Sequence, residues 1–303
     1  MLVAAAPILS LIFSPMKTKI IVSQKQIHQY RSNTYRIKPD IRLHTIKDAV
    51  NFVNERGFMF FWPITGLDLP SLWCGVAGDR PVPNNHDDPG HITWRWKDDL
   101  LGKKKWFYAK ILRRRSTIIS LKLIPYFFAL SQSVHECLED INYIYKQGNI
   151  STEEKQIFKA LSLSGPLDTI TLRAQSNLSA PENASRFNRA LELLQRDFRI
   201  MPSGISQNGR WRYAYIYQTV YTVFPELIEQ SLQIKKEEAF NTVLRSYFQS
   251  NGTGTVKEIQ KLFRWSELDI NMSVNSLVVS GEIIQAITDA GKDRDIFAIP
   301  ELI

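Results

Sequence analysis

Two stretches of this chain are written to one plan, and that repeat constrains the fold more than any other feature. In the first, Ser151 and Glu154 form an S-x-x-E capping box. Ile157, Phe158 and Leu161 then give a helix its apolar face, and Gly165-Pro166 stops it. A short helix is predicted over Asp168–Gln175. A third spans Ala184–Phe198, where Phe187, Ala190, Leu191, Leu194 and Phe198 form one stripe. The period then changes from helix to strand. Asn208-Gly209 is a hairpin-turn dipeptide, and after it Trp211, Tyr213, Tyr215 and Tyr217 alternate with Arg212, Ala214 and Ile216.

The second copy begins near Glu237, with Phe240, Val243, Leu244, Tyr247 and Phe248 on its first helix. Thr255 and Glu258 repeat the box, and Ile259, Leu262 and Phe263 follow. A third helix over Ser266–Ser280 turns Ile270, Val274, Leu277 and Val278 inward. Strands over Ile283–Ile287 and Ile296–Ile299 flank a turn at Gly291. Three helices and a hairpin are the order of a winged helix, a variant of the helix-turn-helix. The expected fold class is α+β, mainly α, with tandem winged-helix modules. Generic α+β packing is the alternative.

The 303 residues suffice for several small domains. The expected division is a tail and lead-in over 1–42, a winged-helix-like domain with a long loop and a basic segment over 43–148, and winged-helix domains over 151–220 and 235–303. Residues 15–42 have no clear period and read as extended. A helix over His44–Arg56 ends at Gly57, a buried aromatic run covers Phe58–Ile64, and residues 65–91 read as a long irregular connection. Leu2–Phe13 is apolar but shorter than the ~20 residues of a membrane span. Translation starting at Met16 would remove it, and a membrane-targeting segment is the other reading. Cys74 and Cys137 form no ligand pattern, so no metal site is expected, and the pair suits a reducing cytoplasm.

A formal net charge of +8 and a pI of about 9.4 fit a polyanionic partner. On the third helix of the first copy, Arg186, Arg189 and Arg196 lie off the apolar stripe, and Arg210 and Arg212 sit beside the hairpin turn. Arginine suits bidentate contacts to guanine or phosphate; a solvated face, with Arg189 paired to Glu192, is the alternative. The third helix of the second copy has no basic residue and carries Glu267 and Asp269, so it is expected to pack on its neighbours. The densest charge is Lys103, Lys104, Lys105, Lys110, Arg113, Arg114 and Arg115, interleaved with Trp106, Phe107 and Tyr108. Such a mixture suits a groove that tracks a phosphate backbone, although the aromatics read better as core. In His86-Asp87-Asp88-Pro89-Gly90-His91, capping of local amides by the carboxylates is favoured over a metal or acid–base site. No GxGxxG, Walker A, GxSxG or HExxH pattern occurs, so no cofactor or nucleotide is expected.

With these residues in place, the chain resembles the bacterial DNA glycosylases that unhook interstrand crosslinks, the AlkZ and YcaQ type, which are built from tandem winged helices. The resemblance implies an apolar turn after an N-terminal helix, holding a Gln-Φ-Gln or Gln-Φ-Asp motif that positions the water attacking C1′. The matching segment is Gly57-Phe58-Met59-Phe60-Phe61-Trp62-Pro63-Ile64. Glycine, apolar residues and proline match, but Phe60 and Trp62 stand where the two polar residues belong, and neither can hold a water by an acceptor oxygen. Gln24-Lys25-Gln26 precedes the helix and has lysine at the apolar centre. A second family feature, Glu-Tyr-Trp-Ala-His, is matched by Trp106-Phe107-Tyr108-Ala109-Lys110, again without its polar groups. The resemblance therefore implies the fold and a DNA partner more strongly than the activity. Three functions compete: a non-catalytic DNA-binding protein or transcriptional regulator, a glycosylase with relocated acids at Asp68, Asp87 or Asp88, and a protein-interaction module. A monomer without membrane attachment is expected.

Overall fold

The computed structural model describes residues 20–303, apart from residues 132, 137, 138, 210, 211 and 290–293 and the side chain of Arg294. The readings made of Leu2–Phe13, Met16, Cys137, Arg210, Trp211 and Gly291 lie outside the described residues.

The chain runs through β1 (Ile21–Val22), α1 (Gln24–Thr34), α2 (Ile46–Arg56), β2 (Phe58–Phe60), α3 (Leu72–Ala77), α4 (Ile92–Leu100), β3 (Phe107–Lys110), β4 (Ser116–Ile119) and α5 (Ile124–Ala129). Short helices α6 (Ser133–Glu136) and α7 (Ile141–Lys146) lead to α8 (Thr152–Ser164), β5 (Leu167–Asp168), α9 (Thr169–Gln175), α10 (Ala184–Arg196), β6 (Ile200–Ser206) and β7 (Ala214–Thr219). Two more, α11 (Val220–Val223) and α12 (Glu226–Leu232), connect to α13 (Lys236–Asn251), β8 (Thr253–Gly254), α14 (Val256–Phe263), α15 (Glu267–Val279), β9 (Ile284–Thr288) and β10 (Arg294–Ala298).

One topological rule governs all three sheets. Their orders are β2-β4-β3, β5-β7-β6 and β8-β10-β9, the last extended by β1 parallel to β9. In each, the short strand after the first helix pairs with the last strand, so helix, strand, two helices and a hairpin recur three times. The class is α+β, mainly α, and is compatible with tandem winged-helix modules. Local signals explain the starts. Thr45–Asp48, Ser151–Glu154 and Thr255–Glu258 close reciprocal capping boxes on α2, α8 and α14, the second helix of the last repeat. The stripe of α10 is buried at Phe187, Ala190, Leu191 and Leu194. Gly57 ends α2 at φ 78°, where a Cβ would lie 2.2 Å from the Ser246 hydroxyl of α13; the position requires glycine.

Two expectations are corrected. The stretch read as an extended lead-in contains α1, capped by a Ser23–Gln26 box. Its only buried residues are Ile27 and Ser32, so it carries no apolar stripe, and side-chain hydrogen bonds hold it instead. Gln24 donates to Thr288 and Gln26 to the Leu302 carbonyl, while Tyr30 donates to the Gln249 carbonyl. The connection over 65–91 contains α3, whose Leu72, Trp73, Cys74, Gly75 and Ala77 are all buried. A helix covered on every side shows no period.

The repeats share a core. Phe58 of β2 packs on Phe127 of α5 (ring centroids 5.2 Å apart) and on Phe263 of α14 (5.8 Å). Phe107 of β3 and Phe128 of α5 both meet Phe198, which follows α10 (5.5 and 5.9 Å). A second joint is polar. Lys97 of α4 is 1% exposed, and its ammonium donates to the Tyr213 and Tyr215 hydroxyls at 3.0 and 2.6 Å. It also pairs with Asp98 at 2.8 Å and lies 4.7 Å from the Trp94 ring centroid. Burial lowers its pKa, and the hydrogen bond to Asp98 opposes that shift. The first repeat is thereby tied to the last strand of the second. No helix among the described residues is long and apolar enough to cross a membrane.

Asp98→Ala leaves a buried ammonium without its counter-ion and is expected to cost about 3 kcal/mol in urea unfolding. A change below the error of the method would contradict the joint. Because the folded-state pKa of Lys97 is depressed, the unfolded chain binds the extra proton in the window from that value up to about 10.4. Stability should therefore rise with pH there, relative to Lys97→Met, which removes the group.

Candidate nucleic-acid interface

A groove opens where the three repeats meet, with a volume of about 790 Å³. Three elements supply its basic rim. The turn between β3 and β4 brings Arg113, Arg114 and Arg115; α10 brings Arg189 and Arg196; α14 and its cap bring Lys261 and Arg264. Asp197 is the one carboxylate among the lining residues, and Arg196 holds both of its oxygens at 2.6 and 2.7 Å. Arg113, Arg115, Arg189 and Arg264 make no ion pair or side-chain hydrogen bond among the described residues. Like charges gathered without counter-ions repel one another and draw a polyanion.

The backbone here is strained as well. Arg113 (φ 54°), Arg114 (φ 56°), Phe198 (φ 55°) and Arg264 (φ 62°) all line the groove in the left-handed region. Each such non-glycine conformation costs on the order of 1–2 kcal/mol. Strain of this kind clusters at functional sites. Below the rim the surface is apolar. Phe127 and Phe198 are buried, and Phe263 and Trp265 stack at 4.2 Å with 13° between their planes. Lys261 donates to the Gly66 carbonyl at 2.7 Å, holding the loop after Trp62 against the groove edge.

The candidate residues read from sequence divide around this groove. Arg113, Arg114, Arg115, Arg189 and Arg196 meet in it. Lys110 is engaged by Glu192 at 2.7 Å, and Glu192 lies 3.9 Å from Arg114; among the described residues Glu192 makes no pair with Arg189. Arg186 pairs with Glu153 at 3.2 Å. Lys103, Lys104 and Lys105 are exposed between α4 and β3, with Lys104 3.9 Å from Glu226, and Arg212 is exposed between β6 and β7; none of these lines the groove. Lys261 and Arg264 were not singled out from sequence. Their signal, a basic residue at each end of the turn closing α14, was weaker than the acidic character of the helix that follows.

Phe60 and Trp62, which the sequence resemblance sets against the motif, lie among aromatic and aliphatic side chains. Phe60 is fully buried in β2. Trp62 is half-buried against Phe61 and Trp94, with ring centroids 5.3 and 5.5 Å away. Asp68 is taken by Arg31 at 2.7 Å. Asp88 accepts two bonds from Arg80 (2.6 and 2.9 Å) and one from the Gly90 amide, and the Arg80 contact holds its carboxyl below the usual carboxylate range. Asp87 is exposed. None of the three lines the groove. Among the described residues, no group of three or more His, Cys, Asp or Glu side chains could hold a metal ion.

A family model described as AlkZ related matches residues 43–264. No curated protein sequence matches the chain. Among solved structures it is similar to the Streptomyces sahachiroi DNA glycosylase AlkZ, with a TM-score of 0.57 and 13% identity over 93% of this chain and 71% of that one. At that identity the likeness establishes the fold alone.

If the left-handed cap of α14 is strained for the sake of the groove, Arg264→Gly should raise stability by about 0.5–1 kcal/mol in urea unfolding. A loss of that size would show instead that the arginine supports the fold.

Proposed function

The chain belongs to the AlkZ-related family, and from that premise we propose that it is a DNA-binding relative of the DNA-repair glycosylases that works without the usual catalytic pair. On this reading residues 43–148, 151–220 and 235–303 are three winged-helix modules, and DNA lies across their junction. The observation that carries the reading is the convergence of seven cations from three elements on one groove, four of them without a partner among the described residues. Phosphates supply the missing counter-charge. Arginine dominates the rim, and its planar fork matches phosphate oxygens in pairs.

The case against the usual chemistry rests on Phe60 and Trp62, which offer no oxygen to position a water. A hydrolytic variant has one carboxylate among the described lining residues to draw on, Asp197. A carboxylate could take a proton from water as the N-glycosidic bond breaks, but both Asp197 oxygens are occupied by Arg196.

Two outcomes are expected. Affinity for a labelled duplex, followed by anisotropy, should fall steeply with salt. Arg113→Ala, Arg189→Ala or Arg264→Ala should each reduce the log–log salt slope by about one. A salt-independent affinity, or an unchanged slope in all three, would contradict the groove reading. Incubation with DNA carrying alkylated or crosslinked purines should yield no abasic sites. Abasic product that disappears in Asp197→Asn would establish the hydrolytic variant instead.

A further inference from the structure

Phosphate binding explains the rim of the groove but not its floor. A paired duplex presents its sugars and phosphates outward and keeps its base faces covered, so rim cations alone would hold it. The groove nevertheless continues inward onto an apolar, aromatic surface. Trp265 is half-buried there, and its side chain has no hydrogen-bond partner among the described residues. Two rings fix the indole from within: Phe263 stacked at 4.2 Å and Phe240 edge-on at 4.6 Å. Arg264, between Phe263 and Trp265 in sequence, is exposed and has no partner among the described residues. A rigid aromatic beside an unpaired guanidinium joins a surface for a base to a clamp for its phosphate.

We propose that the groove takes an unpaired nucleotide of a DNA strand, its base against Trp265 and its flanking phosphates on Arg264 and the arginines of the β3–β4 turn. This rests on the DNA-binding reading above and adds the form of DNA that the site selects. The binding free energy of such a base comes from the apolar contact, which salt does not screen, while the phosphate contacts follow ionic strength. A bulged or single-stranded site thus gains a contribution that a paired site lacks.

The test measures, at one salt concentration, the affinity of the full chain for a paired duplex, the same duplex with a one-nucleotide bulge, and a single strand of equal length. The bulged and single-stranded DNA should bind roughly five- to tenfold tighter than the paired duplex. Trp265→Ala should abolish that preference, so that bulged and single-stranded DNA bind no tighter than the paired duplex; Trp265→Phe should retain most of it. In the native protein, 2-aminopurine at the bulge should be quenched on binding, which tests the contact even if Trp265→Ala does not fold. Equal affinity for all three DNAs, a preference that persists in Trp265→Ala, or unquenched 2-aminopurine overturns the proposal while leaving DNA binding intact. Failure to bind any of the three overturns the DNA-binding reading itself.

Discussion

The structure depends on a relay of phenylalanines. It has two links: Phe58 of the first repeat and Phe127 of α5 meet Phe263 of α14, while Phe107 of the first repeat and Phe128 of α5 meet Phe198 after α10, so the two together join all three repeats. A small module of three helices and a hairpin buries little surface alone, and sharing a core offsets that deficit. Burying each ring is worth roughly 1.5–3 kcal/mol. The consequence for the site is geometric. Phe127, Phe198 and Phe263 also line the groove, so the contact that joins the repeats fixes the spacing of the cations above it.

The joint at Lys97 works by a different force. An ammonium enclosed by Trp94, Tyr213 and Tyr215 is held by hydroxyl oxygens, ring faces and one carboxylate. It sets the hairpin of the second repeat against α4 of the first, on a part of the interface that the relay does not reach. The electrostatics of the third repeat are divided. Its α14 supplies Lys261 and Arg264 to the groove. Its α15, the helix that would lie in a major groove in a common helix-turn-helix complex, carries Glu267 and Asp269 and exposes Leu268, Met272 and Val279 instead. The rim is therefore assembled from a hairpin turn, a third helix and a second-helix cap, one from each repeat.

Much of the fold was legible in the sequence. Capping boxes and the α10 stripe are local signals, and local signals decide where helices start and which face they bury. The helices of the two C-terminal repeats and the strand downstream of Asn208-Gly209, found at Ala214–Thr219, were legible for that reason, whereas β6 was not read. Two kinds of element were not. Helix α1 is held by glutamine and tyrosine hydrogen bonds to the C-terminal repeat, partners more than two hundred residues away. Helix α3 is buried all round, and its surroundings in sequence are rich in turn-formers. At the site, arginines 113–115 were conspicuous as a run. The same density made Lys103, Lys104 and Lys105 look equivalent to them, and only the fold separates a turn facing the groove from one facing solvent. Arg264 was hidden because its significance lies in a left-handed φ, which composition does not announce.

The most direct measure of the central claim is amide hydrogen exchange of the full chain with and without saturating duplex DNA. Slower exchange confined to residues 111–115, 189–197 and 261–265 is the predicted result, because those backbones carry the rim. Protection of α15 or of the β6–β7 hairpin, with no change in the three rim segments, would contradict it.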